Sequence, residues 1–207
     1  MSDQEQNNDP SADEQIGTAR KRPKPGERRL QILQTLAAML EQPGAERVTT
    51  AGLAAKIGVS EAALYRHFAS KAQMFEGLID FVDQSVMGLI RQVTDREPAG
   101  SQQAARMVAL LLQFAEKNPG MSRVMSGDAL VLEHERLQER INLLFDKIEA
   151  QFRMSLKNSE SSTPTADAQV AASVLVAFMQ GRLQRFARSG FRRLPSEHLQ
   201  AALARML

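Results

Sequence analysis

Bulky apolar residues recur three and four positions apart along most of this chain. No segment shows the apolar/polar alternation of a half-buried strand, so the pattern predicts helices only. The first runs over 27–42, where Leu30, Leu33, Leu36, Ala37 and Leu40 form one stripe. Pro43 ends it, because proline disfavours helix at the residue before it. Two short helices follow, at 50–57 and 61–68. Leu53, Ala54 and Ile57 share a face of the first, Leu64 and Phe68 a face of the second. A long helix is predicted from Ser70 to about Asp95, closed by Glu97-Pro98-Ala99-Gly100-Ser101. Further helices are expected at 102–117, 121–126, 130–157, 165–189 and 196–207, with breaks at Asn118-Pro119-Gly120 and in the Ser-rich stretch 158–163. Val108–Leu112 is apolar enough to be buried on most sides. Leu137, Ile141, Leu144, Ile148 and Phe152 form the inward stripe of the 130–157 helix. There is no internal repeat. The fold class is all-α. Residues 1–26 read as an acidic tail and basic arm, 27–70 as a three-helix helix-turn-helix domain, and 71–207 as a larger helical domain for dimerisation and partner binding.

The junction of the two short helices carries the chemistry. Gly58-Val59-Ser60 separates them, and Gly58 supplies a sharp turn that a Cβ would resist. Thr49 and Ser60 are suited to cap the two helices, each side-chain oxygen accepting an orphan N–H of the first turn. The arrangement is a helix-turn-helix, whose second helix can enter a DNA major groove. Thr49, Thr50, Ser60, Glu61, Ala62 and Ala63 lie at the N-terminal ends, where base edges are met. Ala62 and Ala63 offer methyl contact to thymine. Glu61 can accept from a cytosine amine, or it is simply an acid favoured by the helix macrodipole. Tyr65, Arg66 and His67 carry donors suited to phosphates, although His67 also reads as a packed ring. Lys71 opens the next helix, whose free N–H groups also favour a phosphate.

The run GVS-x3-LYRHF-x-SK, with Leu64, Tyr65, His67, Phe68, Ser70 and Lys71, resembles the N-terminal domain of TetR-type transcription regulators. The likeness continues through MFEGLIDFVDQSV (74–86) and through NPGMSRVMSGDALVLEHERLQERINLLFDKIEAQFR (118–153), and covers roughly 27–193. In both domains it looks like the nucleoid occlusion branch of that class. The resemblance implies sequence-specific binding to palindromic chromosomal DNA as a homodimer. It implies that the DNA-bound form engages the C-terminal tail of the tubulin-like protein FtsZ and disrupts its polymers, blocking division over the nucleoid. It also implies a groove for that tail between the 74–91 and 102–117 helices, with Phe81, Leu89, Arg91, Leu110 and Lys117 as candidates. Phe81 reads equally as core. The alternative function is a ligand-responsive repressor with the same DNA-binding mode. Gly52 departs from the class, where an acid often closes a capping box. Its presence costs on the order of 1 kcal/mol of local helix stability.

Charge supports a nucleic-acid partner. The formal net charge is only +2, but residues 1–19 hold five acids and no Lys or Arg, whereas 20–75 hold ten Lys and Arg against four Asp and Glu. Positive charge therefore sits with the helix-turn-helix, where phosphate neutralisation needs it. Residues 1–19 are too polar to offset ordering entropy and are expected to be disordered. The segment 20–29, broken by Pro23, Pro25 and Gly26, is either a solvated tail or an arm along phosphates or the minor groove.

The 166–179 stretch is almost wholly apolar and rich in Ala. It is either an intramolecular core helix or the seam of a C₂ dimer, with Ala168, Ala171, Val174, Leu175 and Phe178 as interface candidates. Such a dimer would set two recognition helices on two half-sites. Arg182, Arg185, Arg188 and Arg192 form a basic stripe beyond it, either solvated or open to an acidic partner. Cysteine is absent, and His67, His134 and His198 are scattered, so no thiolate, metal or nucleophile constellation forms. No enzyme, metal or cofactor is expected. No membrane span or signal-peptide pattern appears, which fits a cytoplasmic, nucleoid-associated protein.

Overall fold

The computed structural model describes residues 26–42, 48–157 and 165–207. The acidic tail, most of the basic arm, the Pro43-Gly44 break and the Ser-rich loop lie outside the described residues. Nine α-helices and no strand occur among those described: α1 Glu27–Leu40, α2 Thr50–Ile57, α3 Glu61–Tyr65, α4 Lys71–Thr94, α5 Ser101–Lys117, α6 Pro119–Met125, α7 Glu135–Lys157, α8 Thr165–Arg188 and α9 Leu199–Met206. A 3₁₀ turn, Asp128–Leu130, precedes α7.

Local chemistry accounts for the starts. Thr49, Ser60 and Ser70 each accept the N–H three residues on, from Gly52, Ala63 and Gln73, at 3.1, 3.3 and 3.1 Å. α6 starts at Pro119 rather than Met121, because a first-turn N–H has no helical partner to lose and proline's fixed φ suits that position. α3 stops at Tyr65 instead of reaching Phe68. The Phe68 ring is drawn into the core, and the extended backbone at Ser70 then caps α4. α7 begins five residues later than the periodicity predicts. Gly127 turns the chain left-handed and the 3₁₀ turn seats Leu130 in the core first.

α1 packs on α2, α4 and α6. This placement rotates its buried face, so Ile32 is buried and Leu30 is exposed, contrary to the predicted stripe. α4 runs outward from the small domain and interlocks through Val82, Val86 and Ile90 with α5 and α7. The Val108–Leu112 segment is buried as its composition predicted, apart from half-buried Leu110. α7 and α8 form a hairpin. Its outer end is marked by Gln169 of α8 beside Glu149 and Arg153 of α7, so the end of α8 returns toward the start of α7.

A side-chain hydrogen bond ties the helix-turn-helix to the large domain, and a row of ion pairs fastens α4 within that domain. The Arg123 guanidinium, on α6, donates to the Leu40 carbonyl at 3.4 Å, satisfying an orphan acceptor at the end of α1. Along the α4–α7 seam, Lys71 pairs with Glu133, Glu76 with Arg136, Asp80 with Arg140 and Asp83 with Lys147.

α8 corrects part of the proposed dimer seam. Ala168 and Leu175 are completely buried and face inward, so they cannot meet a second copy. Val174 and Val170 face outward, at 46% and 64% exposure, with Ala177 and Gly181 on the same side and Ala171 and Phe178 half-buried at its margin. None of the described helices is long and apolar enough to cross a membrane.

Candidate nucleic-acid interface

The turn between α2 and α3 is built as the sequence implies. Gly58 adopts φ 77° and ψ 42°, and its N–H donates to the carbonyls of Ala54 at 2.9 Å and Ala55 at 3.1 Å. Val59 donates to the same Ala54 carbonyl at 3.0 Å, which closes the end of α2. A Cβ on Gly52 would lie 3.1 Å from the Thr49 hydroxyl oxygen and 3.5 Å from the Met39 methyl. The missing side chain leaves that hydroxyl room to cap α2, so the glycine coexists with an intact cap.

Leu64 and Phe68 are buried and clamp α3 to the core, while Ile57 and Val59 pack at its edge. The opposite face is open. Ser60, Glu61 and Ala62 are exposed, as are Tyr65, Arg66 and His67, and Ala63 is half-buried. Within the described residues, the side chains of Tyr65, Arg66 and His67 make no polar contact. Their donors are free, and the packed-ring reading of His67 is set aside. Thr49 is exposed beside them and Thr50 is half-buried.

Three contacts in this region were invisible in the sequence. The Thr50 hydroxyl donates to a Glu61 carboxylate oxygen at 2.6 Å, tying α2 to the first residue of α3. Arg29, on α1, donates to the His67 carbonyl at 2.8 Å and stacks 3.9 Å from the Phe68 ring centroid. It thereby closes the C-terminal end of the recognition segment. Lys71 differs from its expected role. Its ammonium is paired with Glu133 and its side chain is only 21% exposed, so it does not reach freely toward solvent. The helix around it keeps its Ser70 cap.

The Phe81 groove also differs from expectation. Residues 74, 78 and 81 lie on one side of α4, the side that receives α1. Phe81, 38% exposed, therefore emerges where α1 meets α6, not between α4 and α5. There it lines an open cleft of about 280 Å³ with Leu30, Leu33 and Ala37 of α1, and Asn118 and Met121 at the α5–α6 junction. None of the other four candidates lines this cleft. Leu89 and Leu110 are half-buried against the core. Arg91 and Lys117 are exposed. No group of three or more His, Asp or Glu among the described residues is placed to hold a metal ion.

Comparison with known proteins places this geometry among relatives. Residues 32–78 match the family described as bacterial regulatory proteins, tetR family. Residues 102–206 match an SlmA-like family described as tetracyclin repressor-like, C-terminal domain. The nucleoid occlusion factor SlmA of Idiomarina loihiensis is 48% identical over 177 residues, spanning 84% of this chain and 90% of that protein. The nucleoid occlusion factor SlmA of Vibrio vulnificus strain YJ016 is 47% identical over 181 residues, spanning 86% of this chain and 92% of its own. Among solved structures, the TetR family transcriptional regulator PfmR of Thermus thermophilus superposes with a TM-score of 0.65 at 20% identity, covering 85% of this chain and 96% of that one.

Proposed function

This chain belongs to the SlmA family of nucleoid occlusion factors, on a TetR-type fold, and from that premise we propose that it binds palindromic chromosomal sites as a homodimer and, once bound, engages the C-terminal tail of FtsZ and antagonises its polymers. Family membership makes it a DNA-binding regulator and not an enzyme. Residues 27–70 read the operator. Residues 71–207 carry the dimer contact and the partner site, and the protein works in the cytoplasm at the nucleoid.

The DNA-facing residues are Thr49, Thr50, Ser60, Glu61, Ala62 and Ala63 near base edges, with Tyr65, Arg66 and His67 on phosphates. Dimerisation uses the outward face of α8 around Val170, Val174 and Ala177, whose small side chains permit close helix approach. These apolar residues stand exposed in a single chain, which is the condition that a symmetry mate removes.

The observation that carries the FtsZ reading is the placement of Phe81. An exposed aromatic ring lies in an apolar cleft walled by α1 of the small domain and by the α5–α6 junction of the large one. A peptide anchored on that ring touches both domains at once, so its affinity responds to any adjustment of the helix-turn-helix on DNA. Reciprocal linkage then requires the peptide to tighten DNA binding by the same factor. Sedimentation of FtsZ polymers with this protein, with and without its selected palindromic duplex, tests the reading. Polymer loss that depends on the duplex is expected. Polymers indifferent to the protein in both arms would reject it and favour a repressor released by a small ligand.

A further inference from the structure

The end of α8 and the turn after it carry charge that the functions above do not use. Residues 182–193 contain five Arg and no Asp or Glu. Arg182 donates to the Glu197 carbonyl at 2.8 Å, and Arg185 lies 3.5 Å from the Glu197 carboxylate. Burial, then the neighbouring Arg185 charge, lower the Arg182 guanidinium from its ordinary value, against an opposing pull from Glu197. That single acid is the only carboxylate paired with the cluster among the described residues. Arg188, Arg192 and Arg193 are all exposed, and the guanidinium groups of Arg188 and Arg193 make no polar contact within the described residues.

The turn that presents the last two is firmly built. Phe191 is held at φ 64°, a left-handed conformation that a bulky residue rarely adopts. Its N–H donates to the Phe186 carbonyl at 2.9 Å, and its ring meets the buried Phe186 ring edge-on at 5.1 Å between centroids. The Ser189 hydroxyl oxygen accepts both following amides, from Arg192 at 3.1 Å and Arg193 at 2.9 Å. Backbone strain retained by this many contacts points to a function for what the turn displays.

Its place in the molecule indicates what that is. α8 runs back along α7 toward the end where Glu133 meets Lys71, and it packs on α6, which itself packs on α1. The arginines therefore lie at the helix-turn-helix end of the large domain. The outward stripe Val170, Val174, Ala177 and Gly181 continues at helical spacing to Arg185 and Arg188, and in a dimer whose two helix-turn-helix units face one duplex, both clusters lie on the side of that duplex. We propose that Arg188, Arg192 and Arg193 form a second phosphate-binding surface that lies over the duplex between the two half-sites. The proposal rests on the dimeric DNA-binding reading above. DNA is favoured over an acidic protein because the cluster offers guanidinium groups without an available aromatic anchor, since Phe191 is occupied by Phe186. Phosphate recognition needs charge and forked donors, whereas protein hot spots need a buried apolar centre.

The test measures affinity for the selected palindromic duplex across a salt series. The variants are Arg188→Gln/Arg192→Gln/Arg193→Gln and its Lys counterpart, with helicity and dimer state checked on each. The triple Gln protein should show a slope of log affinity against log salt shallower by about 0.9 for each phosphate released. The triple Lys protein should restore it, and the preferred bases should stay the same. A wild-type slope in a folded, dimeric triple Gln protein overturns the proposal. Capture of a poly-glutamate peptide that depends on the arginines, with the DNA slope unmoved, also overturns it and reassigns the surface to an acidic protein. Failure of the unmodified protein to bind any duplex would instead reject the DNA-binding reading itself.

Discussion

Gly120 lies so close to Ala37 that a Cβ on it would stand 2.0 Å from the Ala37 carbonyl oxygen and 2.9 Å from its carbonyl carbon. The backbone of α6 thus rests directly on the backbone of α1. Beside this contact, Arg123 reaches the Leu40 carbonyl. The helix-turn-helix is held to the large domain by backbone proximity that no side chain could replace. The Phe81 cleft borders this joint, so whatever shifts α1 on α6 reshapes the cleft.

The Gly120→Ala variant should therefore force the two helices apart. Overpacking of this kind costs roughly 1–3 kcal/mol, and more where backbone has to move. At about 2–4 °C per kcal/mol for a chain of this size, thermal unfolding should shift downward by several degrees. A melting temperature equal to that of the parent would contradict so close an approach.

Lys71 and Glu133 form a part-buried pair between α4 and the segment before α7. Glu133→Gln frees the ammonium at the start of α4, next to the residues proposed to face DNA. We expect a steeper salt dependence of DNA binding, by about 0.9 in slope if one phosphate is gained. Lys71→Gln in the same background should cancel the gain. A slope that ignores both substitutions removes Lys71 from the DNA interface.

The Thr50–Glu61 hydrogen bond links the starts of α2 and α3, where both residues are proposed to meet base edges. In a double-mutant cycle with Thr50→Val and Glu61→Gln, the effects on duplex affinity should couple by about 0.5–1 kcal/mol, since contacting residues are rarely additive. Base selection from a random pool should broaden at one position per half-site. Strict additivity with unchanged selection would leave Glu61 to the helix macrodipole alone.

Two positions on α8 distinguish the core from the proposed dimer seam. Val174→Asp, on the outward face, should leave the chain folded but monomeric, because an unpaired charge in a dry interface costs several kcal/mol. Ala168→Asp, at a fully buried position, should unfold the chain instead. Circular dichroism and sedimentation at micromolar concentration read the two outcomes. A dimeric Val174→Asp protein would place the dimer contact elsewhere.

Phe81→Ala should lower affinity for an FtsZ tail peptide at least tenfold, as removal of an aromatic anchor does, while duplex affinity and melting temperature stay close to the parent. Phe75→Ala, at a buried position on the same helix, should cost about 3–5 kcal/mol of stability. Equal destabilisation by both would mark Phe81 as core.

Much of this protein is written locally. The caps at Thr49, Ser60 and Ser70, the left-handed Gly58 and the apolar periodicity each lie within a helical turn or two, so the sequence alone determined the all-helical class and the helix-turn-helix. The Tyr65, Arg66 and His67 face follows from the same spacing once Leu64 and Phe68 are inward. Only the tertiary structure decided the rest. Glu133 stands 62 residues from the Lys71 it neutralises, and Arg29 stands 38 residues from the His67 carbonyl it closes. Nothing within a helical turn specifies such partners. α8 is apolar around most of its circumference, so periodicity could not tell inward Ala168 and Leu175 from outward Val170 and Val174. The Phe81 cleft likewise depends on which side of α4 receives α1. Local spacing sets which residues share a helix face, but the rotation of each helix about its axis is fixed by the helices packed against it.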